Sequence, residues 1–204
     1  MGSRGDRGAD RGRDMPRIPV VMARLDLDGI PDMDPPLGYR LRCFRSGDER
    51  ARADVETAAG EFADRGRALE RFASEFGPHL AEMSERCLFL ETRRGEVIGT
   101  TTAWRNPSFA GGDWGRIHWV AVTPAHQGRG LGRLLVVQAL RLLRGRHTRA
   151  YLTTQTTSWI AIHLYLSLGF VPALCSAAEE AGWALLRSLH PHPLLREPPY
   201  LSLH

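Results

Sequence analysis

The chain has 204 residues, 43% of them hydrophobic and 25% charged, with a formal charge of +4 at pH 7. That length points to one domain, with two small ones within reach, and the near-average apolar content excludes a mainly disordered chain. All 27 residues counted as Lys or Arg are arginine, which excludes Schiff-base lysine chemistry, lysine-bound pyridoxal phosphate and a Walker A loop.

Apolar runs such as Leu134–Val137 fall far short of the roughly 18 residues a membrane span needs. The basic charge is spread along the chain, so no nucleic-acid footprint is expected. Cys43, Cys87 and Cys175 are scattered without a Cys-x-x-Cys pair, which argues against a zinc site or a disulfide framework and fits the reducing cytoplasm. The N-terminus has no apolar core of a secretory signal.

In chain order, residues 1–14 are a Gly/Arg/Asp-biased tail expected to be disordered. Residues 15–37 read as an N-terminal arm. Within it Ile18–Leu25 forms a strand, placed at an edge by Pro19, and Gly29–Leu37 with its three prolines is irregular. From residue 38 to 189 the pattern is regular. Tyr39–Phe44 is a strand, residues 48–59 a helix, and 60–66 a break. Arg67–Phe76 and Pro78–Arg86 are helical, the second opening on proline. Cys87–Thr92 and Glu96–Trp104 form a hairpin across Arg93-Arg94-Gly95, Asn106–Gly115 is a loop, and Arg116–Val122 is a third strand. Gly128–Arg144 is a helix with a narrow polar stripe, so most of it is buried. Ala150–Thr154 is a strand, Ser158–Leu168 a helix capped by Ser158, Ser176–Leu189 a last helix, and 190–204 a proline-rich tail. The order predicts an α+β to α/β fold in which an antiparallel meander leads into a strand–helix–strand crossover.

The informative segment is Ile117–Leu135, IHWVAVTPAHQGRGLGRLL. A strand ends at Val122, and Gln127-Gly128-Arg129-Gly130-Leu131-Gly132 opens a helix. Glycine lets backbone N–H groups approach an anion, and a helix N-terminus adds partial positive charge, so a pyrophosphate is the natural guest. A Gly-x-Gly-x-x-Gly dinucleotide fingerprint fails at Arg133, and the P-loop lacks its lysine. What remains is Gln/Arg-x-x-Gly-x-Gly/Ala, met by Gln127, Gly130 and Gly132.

With this turn, and with Ala161-x-x-x-Tyr165-x-x-x-Gly169-Phe170 downstream, the sequence resembles the GNAT superfamily of N-acetyltransferases over about residues 38–172. The resemblance implies a mixed, mostly antiparallel central sheet flanked by helices, with two splayed parallel strands holding acetyl-CoA. Backbone groups of Val120, Ala121 and Val122 would pair with the pantetheine amides, and N–H groups from Gln127 to Gly132 would hold the pyrophosphate. Tyr165 matches the tyrosine expected to protonate the departing thiolate. Ser158 stands where many members place a cofactor-contacting asparagine. His118 matches by spacing a histidine that serves as base in one branch. Strand alternation sets Arg116, His118, Val120 and Val122 on one face, so His118 would share the valines' cleft. The position of the glutamate base used by many members is Thr153 here. The family's closing hairpin is not evident after Pro172, and Ile18–Leu25 is a candidate replacement edge strand.

The resemblance therefore implies a cytoplasmic, acetyl-CoA-dependent transfer of an acetyl group to a small-molecule or peptide amine. Neither nucleic acid nor membrane is expected as a partner, and a homodimer is the commonest assembly for such a chain. A non-catalytic acyl-CoA-binding sensor of the same fold is the alternative. Polyamine, aminoglycoside, amino-acid and protein N-terminal acceptors stay open.

Overall fold

A computed structural model describes residues 15–112, 114–190, 192–195 and 200–203. The tail expected to be disordered over 1–14 lies outside them. The chain divides into two compact units, one formed by Leu25–Tyr151 and the other by Met1–Arg24 with Leu152–His204. The arm is therefore split at Arg24, and its 25–37 portion belongs with the larger unit.

The larger unit holds β2 (Tyr39–Cys43), α1 (Glu49–Ala58), α2 (Arg65–Phe76), α3 (Leu80–Arg86), β3 (Cys87–Thr92), β4 (Val97–Arg105), β5 (Trp114–Val122), α4 (Leu131–Arg144) and the start of β6 (Arg149–Gln155). Its strands run β2-β3-β4-β5-β6, antiparallel until β5 meets β6 in parallel. Side-chain alternation sorts the core into two layers. Cys87 and Phe89 of β3 join Phe72, Phe76 and Met83 of α2 and α3 on one face. Leu90 and Ile98 join Leu131, Leu134 and Leu135 of α4 on the other. Asp64 caps α2 by accepting from the Arg67 N–H at 2.9 Å, a bond worth about 1 kcal/mol. Helix α4 buries eight apolar residues and is the most buried helix of the unit. It lies so close to β5 that a Cβ on Gly115 would come within 2.7 Å of Leu143. The irregular segment 25–37 is fastened to α4: Gln138 donates to the Met33 carbonyl at 2.5 Å, and Arg141 pairs with Asp32 at 2.5 Å.

The smaller unit contains β1 (Pro19–Arg24), the rest of β6, α5 (Trp159–Ser167), β7 (Val171–Leu174), α6 (Ala177–Leu189) and β8 (Leu201–Ser202). The order is β6-β1-β7-β8, with β1 antiparallel to β7 and β7 parallel to β8. This corrects two expectations. The first strand is interior: Val20–Arg24 are buried, and Pro19 is harmless because it stands at the strand's first position, exposed. The C-terminal tail is partly structured, with a 3-10 turn at Pro193–Leu195 and the short β8. A capping box between Ser176 and Glu179 starts α6, and the Trp183 indole N–H donates to the Ala173 carbonyl at 3.2 Å. Among the described residues no helix is long and apolar enough to cross a membrane.

Candidate active site

Strand β5 changes character along its length. Trp114, Gly115 and Arg116 pair with Arg149, Ala150 and Tyr151 of β6. Among the described residues, 117–122 have no ladder partner on that side, so this stretch of β5 lies outside the β6 ladder. An extended, amide-bearing ligand binds well to such an edge. On the β4 side, Thr102 pairs with His118 and Thr100 with Ala121, so Thr101 stands opposite both Trp119 and Val120. This is a β-bulge, and Trp119 takes the left-handed conformation at φ 53°. A bulky residue there is strained and persists only where its surroundings hold it.

The bulge overturns the alternation argument. His118 packs near Phe76, ring centroids 6.1 Å apart, and Trp119 joins the α2-side core. Val120 and Val122 join the α4-side core. The extra residue flips the register between them, so His118 and the two valines lie on opposite faces. His118 thus faces the side that carries the 60–64 break, where Phe62 rests on Trp119 at 4.9 Å between ring centroids.

The turn after β5 is built to stay open. Thr123 donates its N–H to the Ile98 carbonyl at 2.8 Å, and the Gln127 side chain donates to the Val122 carbonyl at 2.9 Å. Of the backbone groups expected to meet pantetheine, the Val122 carbonyl is therefore already engaged. Arg129 is exposed and folds back, donating to the Tyr39 hydroxyl at 3.1 Å and the Ala125 carbonyl at 3.2 Å. Gly128 and Gly130 have φ of 72° and 76°, and a Cβ on either would meet nothing within 4 Å. Their glycine requirement is conformational, and the space beside them is free for a ligand. Helix α4 starts at Leu131 and not at Gly128, because the left-handed Gly130 is its N-cap. The first N–H groups of any helix lack intrahelical acceptors, and the first turn of α4 carries no acidic residue. Exposed glycines, oriented N–H groups and the dipole's positive end fit a pyrophosphate.

One residue escaped the sequence reading. Glu75, on α2, accepts from the His118 Nε2–H at 2.5 Å and from the Trp119 Nε1–H at 3.1 Å, with Arg71 at 3.0 Å. Burial works against the Glu75 charge, yet the bonds from His118 and Trp119 and the nearby Arg71 outweigh it and hold the carboxyl at about 2. Burial pushes the His118 imidazole down to about 4, against the pull of Glu75. At neutral pH the pair is an ionised carboxylate beside a neutral imidazole. The carboxylate can only accept, so the proton sits on Nε2 and the basic lone pair on Nδ1. No sequence pattern joins positions 75 and 118; only the packing of α2 on β5 does. Deeper on the same face, Arg52 and Glu56 form a fully buried pair at 2.8 Å. Burial raises the Glu56 carboxyl to about 7, opposed by the Arg52 charge.

In the smaller unit Tyr165 is buried on α5, 6.0 Å from Phe170 between ring centroids, and Gly169 follows the helix at φ 81°. Ser158 occupies the N-cap position without a side-chain capping bond, contrary to expectation, because a 3-10 turn at Thr156–Ser158 precedes the helix. Thr156 ties down the start of β1: its hydroxyl donates to the Pro16 carbonyl and accepts from the Ile18 N–H. His163 packs against Trp159 and His192.

The mostly antiparallel sheet, the bulged strand and the glycine turn onto a helix make a mixed α/β architecture with helices against an open sheet. The Acetyltransferase (GNAT) family model matches residues 53–170, and the chain belongs to that family. It is 33% identical over 159 residues to a mycothiol acetyltransferase of Amycolatopsis mediterranei, covering 74% of this chain and 53% of that protein. An N-alpha-acetyltransferase of Mycobacterium tuberculosis is 43% identical over 54 residues, 26% of this chain and 33% of that protein. The crystal structure of a GCN5-related N-acetyltransferase from Sphaerobacter thermophilus superposes with a TM-score of 0.62 at 26% identity, over 76% of this chain and 48% of that one. The chain spans about half the length of the mycothiol acetyltransferase it matches.

Proposed function

We propose that the chain is an acetyl-CoA-dependent N-acetyltransferase that delivers an acetyl group to a primary amine by direct attack. The observation that carries this reading is the continuous run from the stretch of β5 outside the β6 ladder through the left-handed Gly128 and Gly130 to the N-terminus of α4. The edge at Val120 and Ala121 suits the pantetheine amides, and the N–H groups of Gly128–Gly132 suit the pyrophosphate. Coenzyme A, when bound, supplies the acetyl thioester whose C–S bond breaks as the new C–N bond forms.

The chain's residues handle the protons. The attacking amine must first lose one from its ammonium form. His118, neutral at pH 7 with its lone pair on Nδ1, is the acceptor, reached through water. Tyr165 gives its phenolic proton to the departing sulfur. The Ser158 hydroxyl, free of a capping role, is available to the cofactor.

Thiol release from acetyl-CoA, measured against a panel of amines, tests the reading. Acceptors related to mycothiol come first, since matched relatives are named mycothiol acetyltransferases, and N-terminal peptides second. Tyr165→Phe should lower kcat about 100-fold while the acetyl-CoA Kd holds. A chain that binds acetyl-CoA yet releases no thiol with any amine would be the non-catalytic sensor instead.

A further inference from the structure

Three bonds converge on Glu75, and two of them reach consecutive residues of the bulge. The Glu75 side chain is only 16% exposed. Its Oε1 accepts from the His118 Nε2–H and its Oε2 from the Trp119 indole N–H. Trp119 is the bulky residue held at φ 53°, and it heads the segment Val120–Val122. A strained residue of this kind needs a side-chain anchor, and the indole N–H on a carboxylate is a charge-assisted one. Arg71, one turn earlier on α2, pairs with the same carboxylate at 3.0 Å and lies over the Trp119 ring at 5.9 Å, so the anchor is itself braced.

We infer that Glu75 is a positioning residue of this site: it fixes the His118 tautomer and pins the Trp119 bulge, so that helix α2 sets the geometry of the strand that receives the cofactor. The inference rests on the acetyltransferase reading for its cofactor. Glu75 is not itself the base, because a carboxylate surrounded by three donors has little tendency to take a proton. It acts through its two partners. Through His118 it leaves Nδ1 as the one basic nitrogen. Through Trp119 it sets where the Val120 and Ala121 backbone groups stand.

The test uses the full chain, with acetyl-CoA as probe in calorimetry and the imidazole nitrogens of His118 followed by NMR. Wild type should bind acetyl-CoA and show a neutral Nε2–H imidazole at pH 6. Glu75→Ala should weaken acetyl-CoA binding about tenfold and leave His118 as a mixture of tautomers. Trp119→Phe, which removes the indole donor and trims the ring that packs on Phe62, should give a similar loss of affinity. In the Glu75→Ala, Trp119→Phe double variant the second change should add less than twofold, because the two act through one bond. Glu70→Ala, an exposed change on the same helix, should alter nothing. Unchanged affinity in Glu75→Ala, or strictly additive losses, would overturn the inference, since a general loosening of the fold has no reason to be non-additive with Trp119. Should Glu75→Ala fail to fold, Trp119→Phe alone decides, and wild-type affinity there overturns it. A wild-type chain that binds no acetyl-CoA overturns the transferase reading instead. The His118 resonances then still report whether Glu75 holds the imidazole.

Discussion

The two faces of the sheet in the Leu25–Tyr151 unit are made of different materials. Against α4 the core is a cluster of aliphatic side chains, with Leu90, Ile98 and Val122 meeting Leu131, Leu134 and Leu135. Against α1 and α2 the aromatic core is interrupted by buried ionisable groups: Arg52, Glu56 and His118, with Glu75 half-buried beside them. Burying charge costs stability unless it is paired, and here Arg52 pairs with Glu56 and His118 with Glu75. The α4 face gains by being rigid, for it carries the glycine turn. The α2 face holds His118, the proton acceptor of the proposed function. The bulge at Trp119 and Val120 is the junction, sending His118 and Trp119 to one side and Val120 and Val122 to the other.

The sharpest test of the rigid face is Leu134→Ala. It removes a fully buried side chain beneath the turn and should cost about 2–5 kcal/mol in urea unfolding. A cost under 1 kcal/mol would mean that α4 is not the scaffold. On the other face His118→Ala should leave the cofactor's Kd within about twofold and lower kcat about 100-fold, roughly 2.7 kcal/mol of barrier. Equal losses in both would place His118 in binding and not in proton transfer.

The pH dependence separates the faces further, because two groups on the α2 side pull in opposite directions. His118 titrates at about 4 in the fold and near 6.5 in the unfolded chain, so the unfolded state takes the proton first. Its contribution is full above 6.5 and lost as pH falls towards 4. Glu56 titrates at about 7 in the fold and near 4.5 unfolded, so the fold keeps a proton that the unfolded chain has released. Its contribution is present below 4.5 and lost as pH rises through 7. Removing one at a time should expose the other: Glu56→Gln should become less stable on acidification from pH 6.5, and His118→Gln less stable on raising the pH from 5 to 7. Matching pH profiles for the two variants would refute the assignment. The smallest effect belongs to the turn, where Gly130→Ala forces a side chain into a left-handed site with open space around it, at a cost of about 1 kcal/mol.

Much of this layout is legible in the sequence. Cys87–Thr92 occurs as expected, and so do the hairpin after it, the buried α4 and the Ser176 helix start, because periodicity and caps are local signals. The glycine turn is legible because left-handed backbone demands glycine. The bulge is not, since nothing in the string His118-Trp119-Val120 marks a tryptophan for positive φ; its partners on α2 impose it. Glu75 looks like any solvated helical glutamate until α2 packs on β5. The interior place of β1 and the pairing of β8 with β7 are long-range choices that short apolar runs do not encode.

In the proposed function, β5, its bulge and the N-terminus of α4 together receive coenzyme A. Isothermal titration of the chain with acetyl-CoA, and with NAD and ATP for comparison, tests it most directly. Acetyl-CoA alone should bind in the micromolar range, at least about tenfold more weakly when Gly130 is replaced by valine in a chain that stays folded. Equal binding of all three ligands, or acetyl-CoA affinity indifferent to Gly130→Val, would contradict it.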